Sequence, residues 1–389
     1  MSVPKKAIPI LLILLVAVLA MTACTSYDDL AKNRAEKARQ AKGDIRIALV
    51  WQEGLFKSYF YEGAELAAEE INRGGGILGR KIRTVRYNNQ IFTVEKDQEL
   101  ARKIAADDDL VAVVGHYLGT GAIRASVTYQ YSGIVFMAVT SIPSFSEHGF
   151  TYIFRNVLSD SVTGMELADF AKKRGISNIL IIDDRTVSGK GLADAFHERA
   201  SKIGLNVVTR RSYSWGGVNF KPLFGEIRDL PFDAIFLGGS IPTAAYVIRE
   251  ARLMGVTVPF IGGSGIDSPT FWDMAGEAAE GTIIPTAYHH DETHPASQAF
   301  SRAFFARHHA YPDSWSAHGY DAIRALAAAM KQAGTTIPIV VASHLRFLEN
   351  WNGALGRYSF TKEGEVSGDI NEFQILHNGT YELLERGRP

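Results

Sequence analysis

The sequence predicts an α/β fold of two doubly wound lobes, each a parallel sheet wrapped by helices, joined by a multi-strand hinge. Three observations carry this. Short apolar runs without alternation, such as Leu110–Gly115 and residues 134–139, read as strands buried on both faces. They alternate with segments of helical period almost throughout, the pattern of βαβ units. About 345 residues follow Gly43, enough for two domains of ordinary size, and a hydrophobic content of 46% is ample for two cores.

Ile45–Trp51 reads as the first strand. Residues 59–73 form an amphipathic helix, with Ala64, Ala67, Ala68 and Ile71 on one face, and Gly74-Gly75-Gly76 stops it. Strand 81–87 and helix 93–106 follow. The run Leu110–Gly115 ends in Gly115-His116-Tyr117-Leu118-Gly119-Thr120-Gly121 and a helix through Tyr131. The run 134–139 ends in Val139-Thr140-Ser141, with Pro143 behind it. Then come helix 162–174, strand Asn178–Asp183, helix 189–203, strand 206–213, helix 220–229, strand 233–238, helix 243–254 and strand 258–262. A short helix starts at Pro269 and strand 280–285 closes this half. Long helices cover 296–309 and 315–332. Residues 356–384 read as irregular strands, with turns at 362–364 and at Asn378-Gly379.

In an open α/β sheet, ligands sit beyond the carboxyl ends of the strands. Free N–H groups at residues 119–121 and the hydroxyls of Thr120, Thr140 and Ser141 suit a carboxylate or another oxygen-rich group. The competing use of Thr120 and Ser141 is helix capping. No strong base stands beside them, and no nucleophile or acid–base pair appears elsewhere, so the pattern points to binding and not to catalysis. No cofactor or metal is expected. The stretch from Tyr288 to His294 is rich in histidine, but its spacing matches no standard metal site. Gly262–Gly265 fails as a nucleophile elbow, because its second glycine would fall on Ile266. A net charge of −1 and the lack of a basic stripe exclude a nucleic-acid partner.

The N-terminus reads as an export signal. Lys5 and Lys6 precede an apolar run over residues 7–20 that ends in Met21-Thr22-Ala23-Cys24: a basic region, an apolar region and a small-residue cleavage site. The run is short for a membrane span, which needs about 20 residues. Cys24 is the single cysteine. It stands where a bacterial lipobox, which this stretch resembles, places its acylated residue, although Met21 replaces the usual leucine. The competing reading is a plain secretory signal with a chance cysteine. One cysteine excludes an internal disulfide. Residues 27–42, Ala-rich and charged, read as a solvated tether, helical in part.

From Asp44 onward the chain resembles the type I periplasmic binding proteins, in the leucine/isoleucine/valine-binding branch of ABC transporter substrate-binding proteins. The resemblance rests on Gly63-Ala64-Glu65, the stretch from Ile71 to Lys81, Val113-Val114-Gly115-His116, the stretch from Ser188 to Ala193, Gly238-Gly239, the stretch from Ala251 to Gly255, and the stretch from Ala275 to Gly281, in that order. It implies a signal peptide at 1–23 and a lipid-anchored tether at 24–43. It implies an N-terminal lobe of 44–157 with 287–356, and a C-terminal lobe of 158–286 with 357–389. It implies a monomer that closes on a small organic ligand at the periplasmic side of a bacterial membrane and delivers it to an ABC permease.

Carried over one position at a time, the family's carboxylate seat falls on Tyr117, Leu118, Gly119 and Thr120, then Val139, Thr140 and Ser141. Phe56 falls where an aromatic covers the ligand, and Trp51 adds a wall or belongs to the core. The second lobe departs from the pattern, with Ser188 and Ser240 where aromatics are usual and Ser264 where the amino-acid binders place an acid. A desolvated ammonium needs a carboxylate partner, so Asp267 or Asp184 must substitute. Otherwise the ligand is a carboxylate, an amide or a neutral molecule with an apolar body. The alternative function is a sensor or non-ABC carrier for a more lipid-like ligand.

Overall fold

The computed structural model describes residues 27–54, 57–88, 93–290, 293–368 and 370–386. The export signal, Cys24 and Phe56 lie outside the described residues. The first sheet runs β2-β1-β3-β4-β5, with β1 Ile45–Trp51, β2 Ile82–Asn88, β3 Leu110–Gly115, β4 Val135–Ala138 and β5 Ile153–Arg155. All its pairs are parallel. The connecting helices are α2 (Phe60–Arg73), α3 (Val94–Ala105) and α4 (Gly119–Tyr131), with α1 (Tyr27–Gln40) ahead of them. Every residue of β3 is buried, which explains why the sequence shows an unbroken apolar run there.

The second lobe begins at α5 (Asp160–Lys173). It continues through β6 (Asn178–Asp183), α6 (Val187–Ile203), β7 (Asn206–Ser212), α7 (Lys221–Ile227), β8 (Ala234–Gly238), α8 (Thr243–Leu253), β9 (Phe260–Gly262), α9 (Pro269–Ala275) and β10 (Ile283–Thr286). Its parallel strands lie in the order β7-β6-β8-β9-β10. The chain then returns through α10 (Pro295–His308), α11 (Ser314–Ala333) and α12 (Pro338–Arg346). The Tyr320 hydroxyl on α11 donates to Glu70 on α2 at 2.6 Å, fastening α11 to the first lobe.

Three antiparallel strands follow, β11 (Trp351–Gly353), β12 (Gly356–Phe360) and β13 (Val366–Gly368). They lie against β5: Arg155 pairs with Glu365 at 2.6 Å and Phe154 packs edge-on to Phe360. The sequence reading divides the lobes at residue 357; β12 and β13 stay with the first lobe, β14 (Glu372–His377) joins the second sheet antiparallel to β10, and β15 (Thr380–Arg386) pairs antiparallel with β14 at its edge. The expected Asn378-Gly379 turn links these two strands, with φ of 49° and 80°, the left-handed pair a tight hairpin requires.

Helix α1 differs from the expected solvated tether. Its charge conceals a stripe at helical spacing, Leu30, Ala31, Arg34, Ala35 and Ala38, of which Arg34 and Ala38 are buried. The Arg34 guanidinium donates to the main-chain carbonyls of Leu110, Ser132, Ala105 and Asp107. Ala105 ends α3 and Ser132 follows α4, so the cation sits where two helix dipoles are negative. Burial lowers its pKa to about 10, which leaves it protonated at neutral pH. Among the described residues no single helix is long and apolar enough to cross a membrane.

Candidate functional site

The strands of both sheets point their carboxyl ends at a shared cleft. A cavity of about 460 Å³ lies there, between the lobes. On the first lobe it is lined by the turn after β3, the loop after β4 and Trp315 at the start of α11. On the second lobe it is lined by the loops after β6, β7, β8 and β9. Tyr117, Leu118, Gly119, Thr120, Val139, Thr140, Ser141, Ser188, Ser240 and Ser264 all border it, as expected from the sequence.

The first-lobe wall offers backbone amides and hydroxyls to the cavity. Leu118 occupies the N-cap of α4 with no side-chain cap bond, so the first-turn amides at Gly119 and Thr120 stay available beside the positive end of the helix. Thr120 is inside the first turn and does not cap it. Gly119 is required by close approach: a Cβ there would lie 1.9 Å from Ile142 Cδ1 and 2.9 Å from Thr140 Oγ1. This contact brings the hydroxyls of Thr140 and Ser141 alongside the helix end. His116, by contrast, turns into the core, with Nε2 2.9 Å from the Tyr129 hydroxyl. Burial lowers its pKa to about 3, so it is neutral.

The second-lobe wall carries two buried carboxylates beside the exposed cation of Arg185. Asp160 and Asp184 both border the cavity and are almost fully buried. Asp160 begins α5 where the chain first crosses between lobes; its amide donates to the Ser141 carbonyl at 2.7 Å. Its carboxylate accepts from the Ser188 hydroxyl at 2.7 Å. Burial raises its pKa to about 6, against the pull of the Ser188 and Ser141 hydroxyls, with Asp184 adding to the rise. Burial also raises Asp184, which accepts from the Thr186 hydroxyl and amide at 2.6 and 2.9 Å. Asp184 was a candidate from the sequence; Asp160 was missed, because the three-residue strand β5 ahead of it carries no apolar run to mark a strand end.

Between the two walls the lining is apolar. Tyr117 and Trp315 meet edge to face at 5.2 Å, and Val157, Leu192, Trp215 and Ile241 complete it. Trp215 and Trp315 were also missed, since a lone tryptophan in a loop or at a helix start carries no positional signal. Trp51 does not border this cavity. It is buried and stacks on Phe60 at 4.2 Å, behind Tyr117 and Trp315. It reaches a neighbouring cleft of about 440 Å³. There Lys57 meets Asp273 of the second lobe at 2.7 Å.

Asp267 does not border the cavity either. Its carboxylate accepts from Thr286 Oγ1 at 2.8 Å and Gln374 Nε2 at 2.9 Å, tying the ends of β9, β10 and β14. Burial lifts its pKa to about 7. Its place is in the hinge, which removes it as an ammonium partner and leaves Asp160 and Asp184.

A family model described as Periplasmic binding protein matches residues 53–380. The chain is 27% identical over 329 residues to the Leu/Ile/Val-binding protein homolog 1 of Brucella suis, covering 82% of this chain and 86% of that protein. It is 26% identical over 344 residues to the Leu/Ile/Val-binding protein of Escherichia coli, covering 87% and 92%. An ABC transporter substrate-binding protein from Desulfitobacterium hafniense, solved in complex with Leu, superposes with a TM-score of 0.80 at 29% identity, covering 88% of this chain and all of that one.

Proposed function

Since the chain belongs to the periplasmic binding proteins, in the type I branch that includes the Leu/Ile/Val-binding proteins, we propose that it captures an apolar amino acid or a close analogue and presents it to an ABC permease. It is an exported solute-binding protein and not an enzyme. The observation that carries the ligand class is that anion-binding and cation-binding groups line one cavity. Helix-end amides and hydroxyls at Gly119, Thr120 and Thr140 share it with the buried carboxylates of Asp160 and Asp184 and with aromatic and aliphatic side chains, and the Ser141 hydroxyl bonds to Asp160. A zwitterion with an apolar side chain satisfies all three parts, and each buried charge gains a partner. The substitution at Ser264 therefore does not exclude an α-amino acid.

Ligand that touches both walls favours the closed arrangement of the lobes, and the closed form is what a permease reads. Cys24 is the acylation site that tethers the protein to the membrane. The leucine found in the Desulfitobacterium relative makes L-leucine the first probe. Thermal-shift and calorimetric titration with apolar L-amino acids, their deaminated acids and aromatic carboxylates tests the reading. Selective stabilisation by apolar amino acids is expected, because ligand that binds only the folded state raises Tm by mass action. Binding confined to carboxylates without an amine, or to lipid-like molecules, would overturn it.

A further inference from the structure

The docking of α1 has a consequence for how the protein meets the membrane. Ala31, one turn into α1, touches the end of α4: a Cβ added at Gly133 would lie 2.8 Å from the Ala31 Cβ. An exposed and a half-buried aromatic side chain, Tyr131 and Phe150, lie near this end. Tyr131 is 53% exposed and meets Phe150 edge-on at 6.4 Å. Arg346 donates to the Phe150 and Thr151 carbonyls at 3.0 and 2.7 Å. The next residue in the chain, Phe347, is 72% exposed.

Tyr27, the first residue of α1, is one turn ahead of Ala31 and three residues after Cys24. Three residues span at most about 10 Å even when extended, so acyl chains on Cys24 hold this end of the lobe at headgroup level. Aromatic rings favour that water–lipid boundary. We propose that Tyr131, Phe150 and Phe347 form a bilayer-docking surface, and that α1 seats the base of the first lobe on the headgroups instead of letting the protein swing on a tether. This rests on the proposed acylation of Cys24. Arg34 fixes α1 to Leu110 at the start of β3, and the ligand cavity opens at the other end of that strand. At about 3.3 Å per residue, the strand places the cleft roughly 20 Å farther along the lobe than its seated base.

The test uses the full chain, exported and purified as a lipoprotein, in vesicles of phosphatidylethanolamine and phosphatidylglycerol. Mass spectrometry of the N-terminal peptide reads acylation. Phe347→Cys supplies the one labelling thiol, since Cys24 is consumed by the lipid. It carries a fluorophore quenched by headgroup-level spin-labelled lipid. Val218→Cys, at an 85% exposed position of the second lobe, is the control. At least twofold quenching at position 347 with none at 218, reduced by adding Tyr131→Lys, is the expected result. An acylated protein whose label at 347 is quenched no more than that at 218 overturns the docking surface while leaving the anchor intact. An unacylated N-terminal peptide overturns the anchor itself, and the docking surface with it.

Discussion

Asp160→Asn removes one charge from the proposed ammonium seat while keeping its size. A hydrogen bond to a charged group is worth about 1.5–3 kcal/mol, which converts to a loss of roughly 10- to 150-fold in affinity for L-leucine. The pH dependence gives an independent check. The carboxyl titrates at about 6 in the free protein because burial disfavours its charge, and an ammonium binds only its ionised form. Affinity is therefore full above pH 7 and falls as pH drops through 6, by about tenfold at pH 5. The Asp160→Asn variant loses this contribution. Stability moves the other way. A carboxyl raised from 3.8 to about 6 by folding stabilises the fold only while it stays protonated. That contribution is present below pH 3.8 and gone above 6, so ionised Asp160 costs the free protein on the order of 3 kcal/mol at neutral pH. Asp160→Asn should then melt no lower than the parent at pH 7 while binding far worse. Calorimetry at pH 5, 6 and 7 and thermal melts of both proteins decide it. The 4-methylpentanoate probe, leucine without its amine, should bind the two proteins alike. Leucine affinity within twofold of the parent, or flat from pH 7 to 5, would refute the role of Asp160.

Ser188→Ala removes the 2.7 Å hydroxyl bond that holds Asp160 down. The pH midpoint of leucine binding should move above 6, with a several-fold weaker affinity at pH 7, read by the same titration. Gly119→Ala forces a Cβ to within 1.9 Å of Ile142 Cδ1. Such overpacking costs about 1–3 kcal/mol, and the displaced helix end should lose at least tenfold in affinity; Ile142→Ala in the same chain should restore part of the melting temperature. Arg34→Met leaves four main-chain carbonyls without their buried donor. A loss of at least about 1–3 kcal/mol, the cost of one buried carbonyl left unpaired, is expected, read as a lower unfolding midpoint in urea and as early proteolysis within residues 27–40.

Most of the fold was legible because the sheets are buried on both faces. Strands such as β3 and β8 are wholly buried, so their sequences are unbroken apolar runs that end where a loop must begin. The elements that escaped lack that signature. Strand β5 has three residues and is held by pairing and by Arg155, not by pattern. Helix α12 is nine residues long and starts with Pro338 at its first position, where proline is favoured but reads in sequence as a break. Helix α1 was misjudged because charge was taken as exposure. Arg34 is buried not despite its charge but because two helix ends present carbonyls to it.

The site divides along the same line. The proposed carboxylate seat follows from local chain geometry: a strand, a glycine turn and a helix start occur within a dozen residues, so Gly119 and Thr120 could be named from the sequence, and Ser141 from the end of the next strand. The proposed ammonium seat depends on three-dimensional placement. Asp267 is near Ser264 in sequence, yet Thr286 and Gln374 bind its carboxylate within the hinge. Asp160 is more than a hundred residues from Ser264, yet the first lobe crossing brings it against Ser188. Its position joins recognition to motion. The amide of Asp160 is bonded to Ser141 of the first lobe, and its carboxylate to Ser188 of the second. On the proposed reading, a ligand ammonium at Asp160 would partner a buried acid that already joins the two lobes, whereas an acid at position 264 would sit on the second lobe alone.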